Sequence, residues 1–168
     1  MDFRELAAAR FSVRKFKDKP VEKDKVDIIL EAARIAPTAS NRQPQRILVI
    51  NEAKGLAKVD VCTSYRFAAP LVFLVCYDRS ECWVRSFDGA DSGEVDASIV
   101  TTQMMLQAAD LALGTTWVMY FDPARTREEF SLPANIIPMA FLPTGYPADD
   151  AEPASYHRLR HPLGRLLL

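Results

Sequence analysis

Residues 94–123 read EVDASIVTTQMMLQAADLALGTTWVMYFDP. From Ala97 onward apolar side chains fall on nearly every side of a helical wheel, Met104, Met105, Leu106, Leu111 and Leu113 among them, so the spacing predicts one long helix over 94–113. A helix of that kind is buried on several sides, and in a chain of 168 residues a subunit interface is one way to bury it. Gly114 reads as the helix stop. Residues 115–121 are β-branched and aromatic and predict a strand. Asp122-Pro123 then supplies an N-cap and a proline at the first helical position, opening a short helix to residue 130.

The same punctuation extends outward. Residues 2–10 predict a short helix. A second helix runs over 22–36, with Val26, Ile29, Leu30 and Ala33 on one face and Pro37 ending it. RILVI (46–50) and LVFLVCY (71–77) are buried strands, with a helix over 53–60 between them. Residues 137–145 give a fourth strand, interrupted by Pro143. Residues 78–93 are polar but carry Trp83 and Phe87, which predicts a loop able to act as a lid. Residues 147–162 lack periodicity and read as an extended arm, with 163–168 free to pack on a partner. Helices alternate with strands, so the class is α/β or α+β, and 1–168 is expected to form a single domain.

Bulk properties narrow the function. Apolar residues make up 49% and charged residues 26%, as in a soluble globular chain, and the formal net charge of −1 leaves no basic excess for nucleic acid. The three cysteines, Cys62, Cys76 and Cys82, lack CxxC spacing, so neither a disulfide framework nor a metal site is expected and a reducing, cytoplasmic setting is. The first sixteen residues hold no signal-like apolar stretch, and no run is long enough to span a membrane. With two histidines, both near the C-terminus, a Ser-His-Asp triad is a poor fit; GxGxxG and Walker patterns are absent.

Four segments carry chemistry. Arg10-Phe11-Ser12-Val13-Arg14 sets two guanidinium groups and a hydroxyl on one side of an extended segment, which suits a phosphate dianion; taken alone, a solvated basic face is the commoner meaning. Pro37-Thr38-Ala39-Ser40-Asn41-Arg42-Gln43 offers hydroxyls and two amides, suited to the polar edge of a heterocycle, or simply to a turn. Gly114 to Pro123 is a core strand leading to a helix, or a strand whose terminal N–H groups face a ring walled by Trp117 and Tyr120. His157-Arg158-Leu159-Arg160-His161-Pro162 is a solvated basic tail, or one that returns to complete an anion site.

Taken in order, RFSVRKF, APTASNRQP, GEVDAS, LGTTWVMYFDP and the basic segment before the last proline resemble the FMN-dependent nitroreductase family, over about residues 3–163. The resemblance implies an α+β fold with a central, mostly antiparallel sheet flanked by helices, and a homodimer that exchanges C-terminal arms and holds FMN at its interface. It assigns Arg10 and Ser12, with Phe11 between them, to the ribityl phosphate end and Arg14 to the flavin N1–O2 edge. Pro37, Thr38, Ala39, Asn41 and Gln43 approach the same flavin from the other chain. Trp117 and the backbone around Val118, Met119 and Tyr120 face N5 and O4, and Arg158 and Arg160 close the phosphate site. Gln45 stands where the family commonly has a bulky residue, Met119-Tyr120 replaces its frequent acid–glycine pair, and the long helical insertion of larger members is missing.

The implied activity moves electrons from NADH or NADPH to a small-molecule acceptor (a nitroaromatic, a quinone or a flavin) by a ping-pong scheme. Flavin N5 carries the chemistry and no side chain is assigned as catalytic. The alternatives are a relative with another donor or reaction, ferredoxin-linked or dehalogenating, and a flavin-binding protein of low turnover.

Overall fold

The computed structural model describes residues 2–168. Its centre is β2 (Leu71–Asp78), buried at every position because both faces of the sheet are covered. β2 pairs antiparallel with β1 (Gln45–Ile50) on one side and with β4 (Ile136–Gly145) on the other. β3 (Gly114–Thr115) adds to β4, giving the order β1-β2-β4-β3 with every neighbour antiparallel. Strand geometry sends successive side chains to opposite faces. Leu71, Phe73, Val75 and Tyr77 meet α2 (Lys23–Arg34) and α4 (Gly93–Asp110). Val72, Leu74 and Cys76 join Val59 and Cys62 of α3 (Ala53–Cys62), on the face that also carries α5 (Pro123–Glu129). The fold is α+β in three layers, with α1 (Phe3–Ala9) set against α4 and started by an Asp2–Glu5 capping box.

Some expectations are corrected. The long helix ends at Asp110, not at 113, and Gly114 is not its stop. Ala112 takes the left-handed turn (φ 59°), while its N–H reaches Ala109 O at 3.0 Å and that of Leu113 reaches Ala108 O at 2.8 Å, the Schellman pattern. In the single chain α4 keeps one exposed face, with Val95, Ile99 and Thr102.

The strand expected over 115–121 is regular only at Gly114–Thr115. The chain keeps the same register beside β4 as far as Val118, whose N–H and C=O both bond to Phe141, at 2.9 and 3.0 Å. The ladder breaks between because Thr116 N–H donates to Pro143 O (3.1 Å) and proline has no N–H to return. Pro143 thus interrupts its neighbour and not β4, which continues through it.

Residues 78–93 are more ordered than a loop. After a single 3₁₀ turn (Arg79–Glu81), residues 83–92 form a hairpin held by Ser92 N–H to Trp83 O (2.9 Å) and Arg85 N–H to Ala90 O (2.9 Å). Gly89 supplies the positive φ (74°) at its tip.

Residues 146–150 run antiparallel to residues 15–17 of the same chain. Lys17 N–H donates to Tyr146 O and Ala148 N–H to Lys15 O, and Lys15 and Lys17 pair with Asp150 and Asp149, each at 2.5 Å.

Candidate functional site

The first motif is fixed by backbone contact. Val13 is buried, and its N–H donates to Thr115 O at 2.9 Å while Thr116 Oγ1 donates to Val13 O. Ser12 bridges Thr115 in parallel, so residues 10–14 extend the sheet beyond β3, with Arg10 toward the end of α4 and Arg14 toward Trp117. Turning Val13 inward turns Ser12 and Arg14 the other way. Arg14 is exposed and its Nη1 donates to Ser12 O at 3.3 Å.

The C-terminal tail returns to this segment. The His157 ring stands edge-on to Phe11 with centroids 6.2 Å apart. Arg160 comes close enough to Arg10 to affect its charge: partial burial first, and then the Arg160 guanidinium, hold Arg10 below the ordinary arginine range. Two guanidinium groups are thus drawn together from opposite ends of the chain, a donor set of the kind that suits an anion. Arg158 is exposed and joins no ion pair among the described residues. Arg10 and Phe11 also border a cavity of about 170 Å³ with Leu6, Val13, Ala109 and Leu113, to which Ser12 and Arg14 do not contribute.

Beyond Thr115 the chain gives the site its apolar part. Trp117 packs against the core on the α2 and α4 face, and its Nε1 is buried with no hydrogen-bond partner. Val118 is committed to Phe141, so it is Met119 and Tyr120 whose N–H groups donate to no backbone carbonyl among the described residues. Both side chains are exposed, Tyr120 at 78%. The Tyr120 ring is nonetheless held, with Thr63 Oγ1 donating to its carbonyl at 2.6 Å and the Tyr65 ring perpendicular to it at 5.4 Å. A cavity of about 380 Å³ opens here between Asp60, Thr63, Ser64, Tyr120 and Phe121. Residues 61–66 fall near where the family resemblance places a further contact in some members, but sequence reading assigned no role to Thr63 or Tyr65 themselves.

The 37–43 loop lies elsewhere. Ser40, Asn41 and Gln43 all have positive φ (49°, 52° and 51°), a concentration of backbone strain that ordinary loops avoid. Gln43 N–H donates to Thr38 Oγ1 (3.0 Å), and Pro37, Asn41 and Gln43 are exposed. The loop is tied to the first turn of α4 by Ala39 N–H donating to Asp96 Oδ1 at 2.8 Å. Segment 10–14 is tied to the other end of that helix. α4 has 18 residues, roughly 27 Å at 1.5 Å per residue, so one chain does not bring the two motifs to one ligand.

Among the described residues no group of three His, Cys, Asp or Glu side chains is placed to hold a metal ion, and no helix is long and apolar enough to cross a membrane.

A family model described as "Nitroreductase family" matches residues 7–72 and 66–146. The crystal structure of a nitroreductase family protein from Clostridium difficile 630 aligns with a TM-score of 0.94 and 46% identity, covering 100% of this chain and 98% of that one. An FMN-dependent nitroreductase from Clostridium difficile R20291 aligns with a TM-score of 0.75 and 27% identity, covering 95% and 98%. An NADPH-dependent oxidoreductase from Staphylococcus aureus is 31% identical over 175 residues, covering 92% of this chain and 68% of its own.

Proposed function

Because the chain belongs to the nitroreductase family, we propose that it is an FMN-dependent oxidoreductase, acting as a cytoplasmic homodimer that passes electrons from NADH or NADPH to a small organic acceptor. The observation that carries this reading is the return of the tail to segment 10–14, where the His157 ring stands edge-on to Phe11 at 6.2 Å and Arg160 comes near Arg10, two guanidinium groups that suit the phosphate of FMN. The uncommitted N–H groups of Met119 and Tyr120 add donors where a polar ring edge would lie.

FMN, when bound, supplies hydride chemistry at N5. The chain supplies position and charge. Arg10, Ser12 and Arg160 hold the phosphate, with Phe11 and His157 packed behind them. Arg14, four residues on, lies about 13 Å along an extended strand, and its charge favours electron density on the N1–O2 side of the ring. The Met119 and Tyr120 N–H groups take the N5 and O4 edge.

Asn41, Gln43 and the backbone of residues 37–39 take the remaining polar edge from a second chain. The length of α4 supports this division, since it holds the two motifs at opposite ends. The exposed face of α4, with Val95 and Ile99, is apolar enough to meet a second copy. The cavity beside Tyr120 suits a flat acceptor stacked on an aromatic ring, and donor and acceptor taking turns there would give a ping-pong order.

The test is titration of the apoprotein with FMN and with riboflavin. Saturable binding of one FMN per chain, tighter than riboflavin, is expected; no saturable binding of either contradicts the reading.

A further inference from the structure

Asp96 is 1% exposed, and no cation pairs with it among the described residues. Its carboxylate lies in the first turn of α4, where the helix dipole favours negative charge. Its two oxygens serve two different segments: Oδ1 accepts from Ala39 N–H at 2.8 Å, and Oδ2 from Ser92 Oγ at 2.7 Å. Ser92 ends the 83–92 hairpin, whose tip carries Phe87 at 94% exposure, held in place by Arg85 bonded twice to Asp88 at 2.8 and 2.6 Å. The helix start reaches this position only because residue 93 has no side chain: a Cβ there would come 2.2 Å from the Tyr77 ring and 2.8 Å from Cys82 Sγ.

We infer that Asp96 is a positioning residue that fastens the strained 37–43 loop and the 83–92 hairpin to one another at the start of α4, so that flavin binding at the loop is felt in the hairpin. The inference rests on the proposed flavin reading, in which the loop meets the ring edge. Its chemistry is that of a preformed acceptor pair. Without the carboxylate, a half-buried N–H and a buried hydroxyl lose their partner at once, and the loop has less to hold three residues at positive φ. Asparagine keeps an acceptor for Ala39 N–H and a donor for Ser92 Oγ, so it preserves the geometry without the charge.

Dissociation constants for FMN and riboflavin are measured on Asp96→Ala, Asp96→Asn, Asn41→Ala and the double variant Asp96→Ala/Asn41→Ala, together with hydrogen exchange of residues 83–92 with and without FMN. Asp96→Ala is expected to weaken both flavins by about tenfold, because the loop faces the ring and not the phosphate. Asp96→Asn is expected to stay near wild type. Asn41→Ala is expected to cost little more in the Asp96→Ala background, the non-additivity of residues acting through one loop. FMN is expected to slow exchange in the hairpin of wild type and Asp96→Asn, and not of Asp96→Ala. If Asp96→Ala does not fold, Ser92→Ala takes its place and is expected to uncouple the hairpin alone. Wild type that binds FMN beside variants with additive losses, or beside hairpin exchange indifferent to FMN, overturns the coupling and leaves the flavin reading standing. Wild type that binds no flavin overturns both.

Discussion

Gly114 and Val13 touch where no larger residue than glycine fits: a Cβ at position 114 would lie 2.4 Å from Val13 Cγ2 and 2.7 Å from Val13 Cβ. That approach lets segment 10–14 lie on β3 and sets the facing of Arg10, Ser12 and Arg14. Gly114→Ala is therefore expected to cost about 1–3 kcal/mol of stability, as overpacking does, and to weaken FMN binding as the segment shifts. Urea unfolding and FMN titration check the two effects; FMN affinity unchanged in a destabilised variant would mean that the segment does not carry the phosphate.

Arg160 nears Arg10 from the tail, and in the proposed reading it meets only the phosphate of FMN. Arg160→Ala is expected to weaken FMN by about tenfold to a hundredfold, the range for a hydrogen bond to a charged group, while leaving riboflavin affinity unchanged. Equal losses for both flavins would place Arg160 near the ring or in the fold.

The separation of the motifs along α4 predicts complementation. Asn41→Ala and Arg160→Ala proteins are each expected to bind FMN weakly alone. Mixed and allowed to exchange subunits, they form heterodimers with one site carrying both defects and one carrying neither, so about a quarter of all sites should regain wild-type affinity. No recovery despite subunit exchange would place both residues at a single chain's site. Ile99→Glu, on the open face of α4, is expected to shift the protein to monomer by analytical ultracentrifugation, with loss of tight FMN binding.

Acid sensitivity should pass through Glu22. The Tyr146 hydroxyl donates to Glu22 Oε2 at 2.6 Å and accepts from Lys25 Nζ at 2.8 Å. That hydroxyl first, with backbone and Lys19 contacts adding to it, holds the Glu22 carboxyl down at about 2 against an ordinary 4.5. A carboxyl lowered in the folded state contributes stability that is full above its unfolded value and is lost as pH falls from there through the folded value. Tyr146→Phe should lower the urea midpoint at neutral pH, and its deficit against wild type should shrink between about pH 4.5 and about pH 2. A deficit that stays constant across that window would remove Glu22 from the account.

Much of this fold was legible in the sequence because it is local. RILVI and LVFLVCY announce strands by composition, and Asp122-Pro123 announces α5 by capping chemistry, with Asp122 Oδ1 accepting from Arg125 N–H at 3.0 Å. What escaped depends on partners distant in sequence. Gly114 was read as a helix stop because glycine often is one; its real constraint is Val13, a hundred residues earlier. The break after Thr115 is written in Pro143, on the neighbouring strand. Asp96 reads as an ordinary first-turn acid until Ala39 and Ser92 are seen to converge on it. The 83–92 hairpin did carry a local signal, Asp88-Gly89, the dipeptide favoured in tight hairpin turns. In the candidate site, the arginines stand out by type and spacing, whereas the commitment of Val118 to Phe141 and the bracing of Tyr120 by Thr63 and Tyr65 are not visible in the sequence.

The most direct test of the central claim is the visible spectrum of the FMN-loaded protein under anaerobic conditions, before and after NADH and then NADPH. Bleaching of the flavin bands by one of the two, and their return on adding a quinone or nitroaromatic acceptor, is the predicted result. A protein that takes up no FMN, or whose bound flavin neither nucleotide reduces, would contradict it.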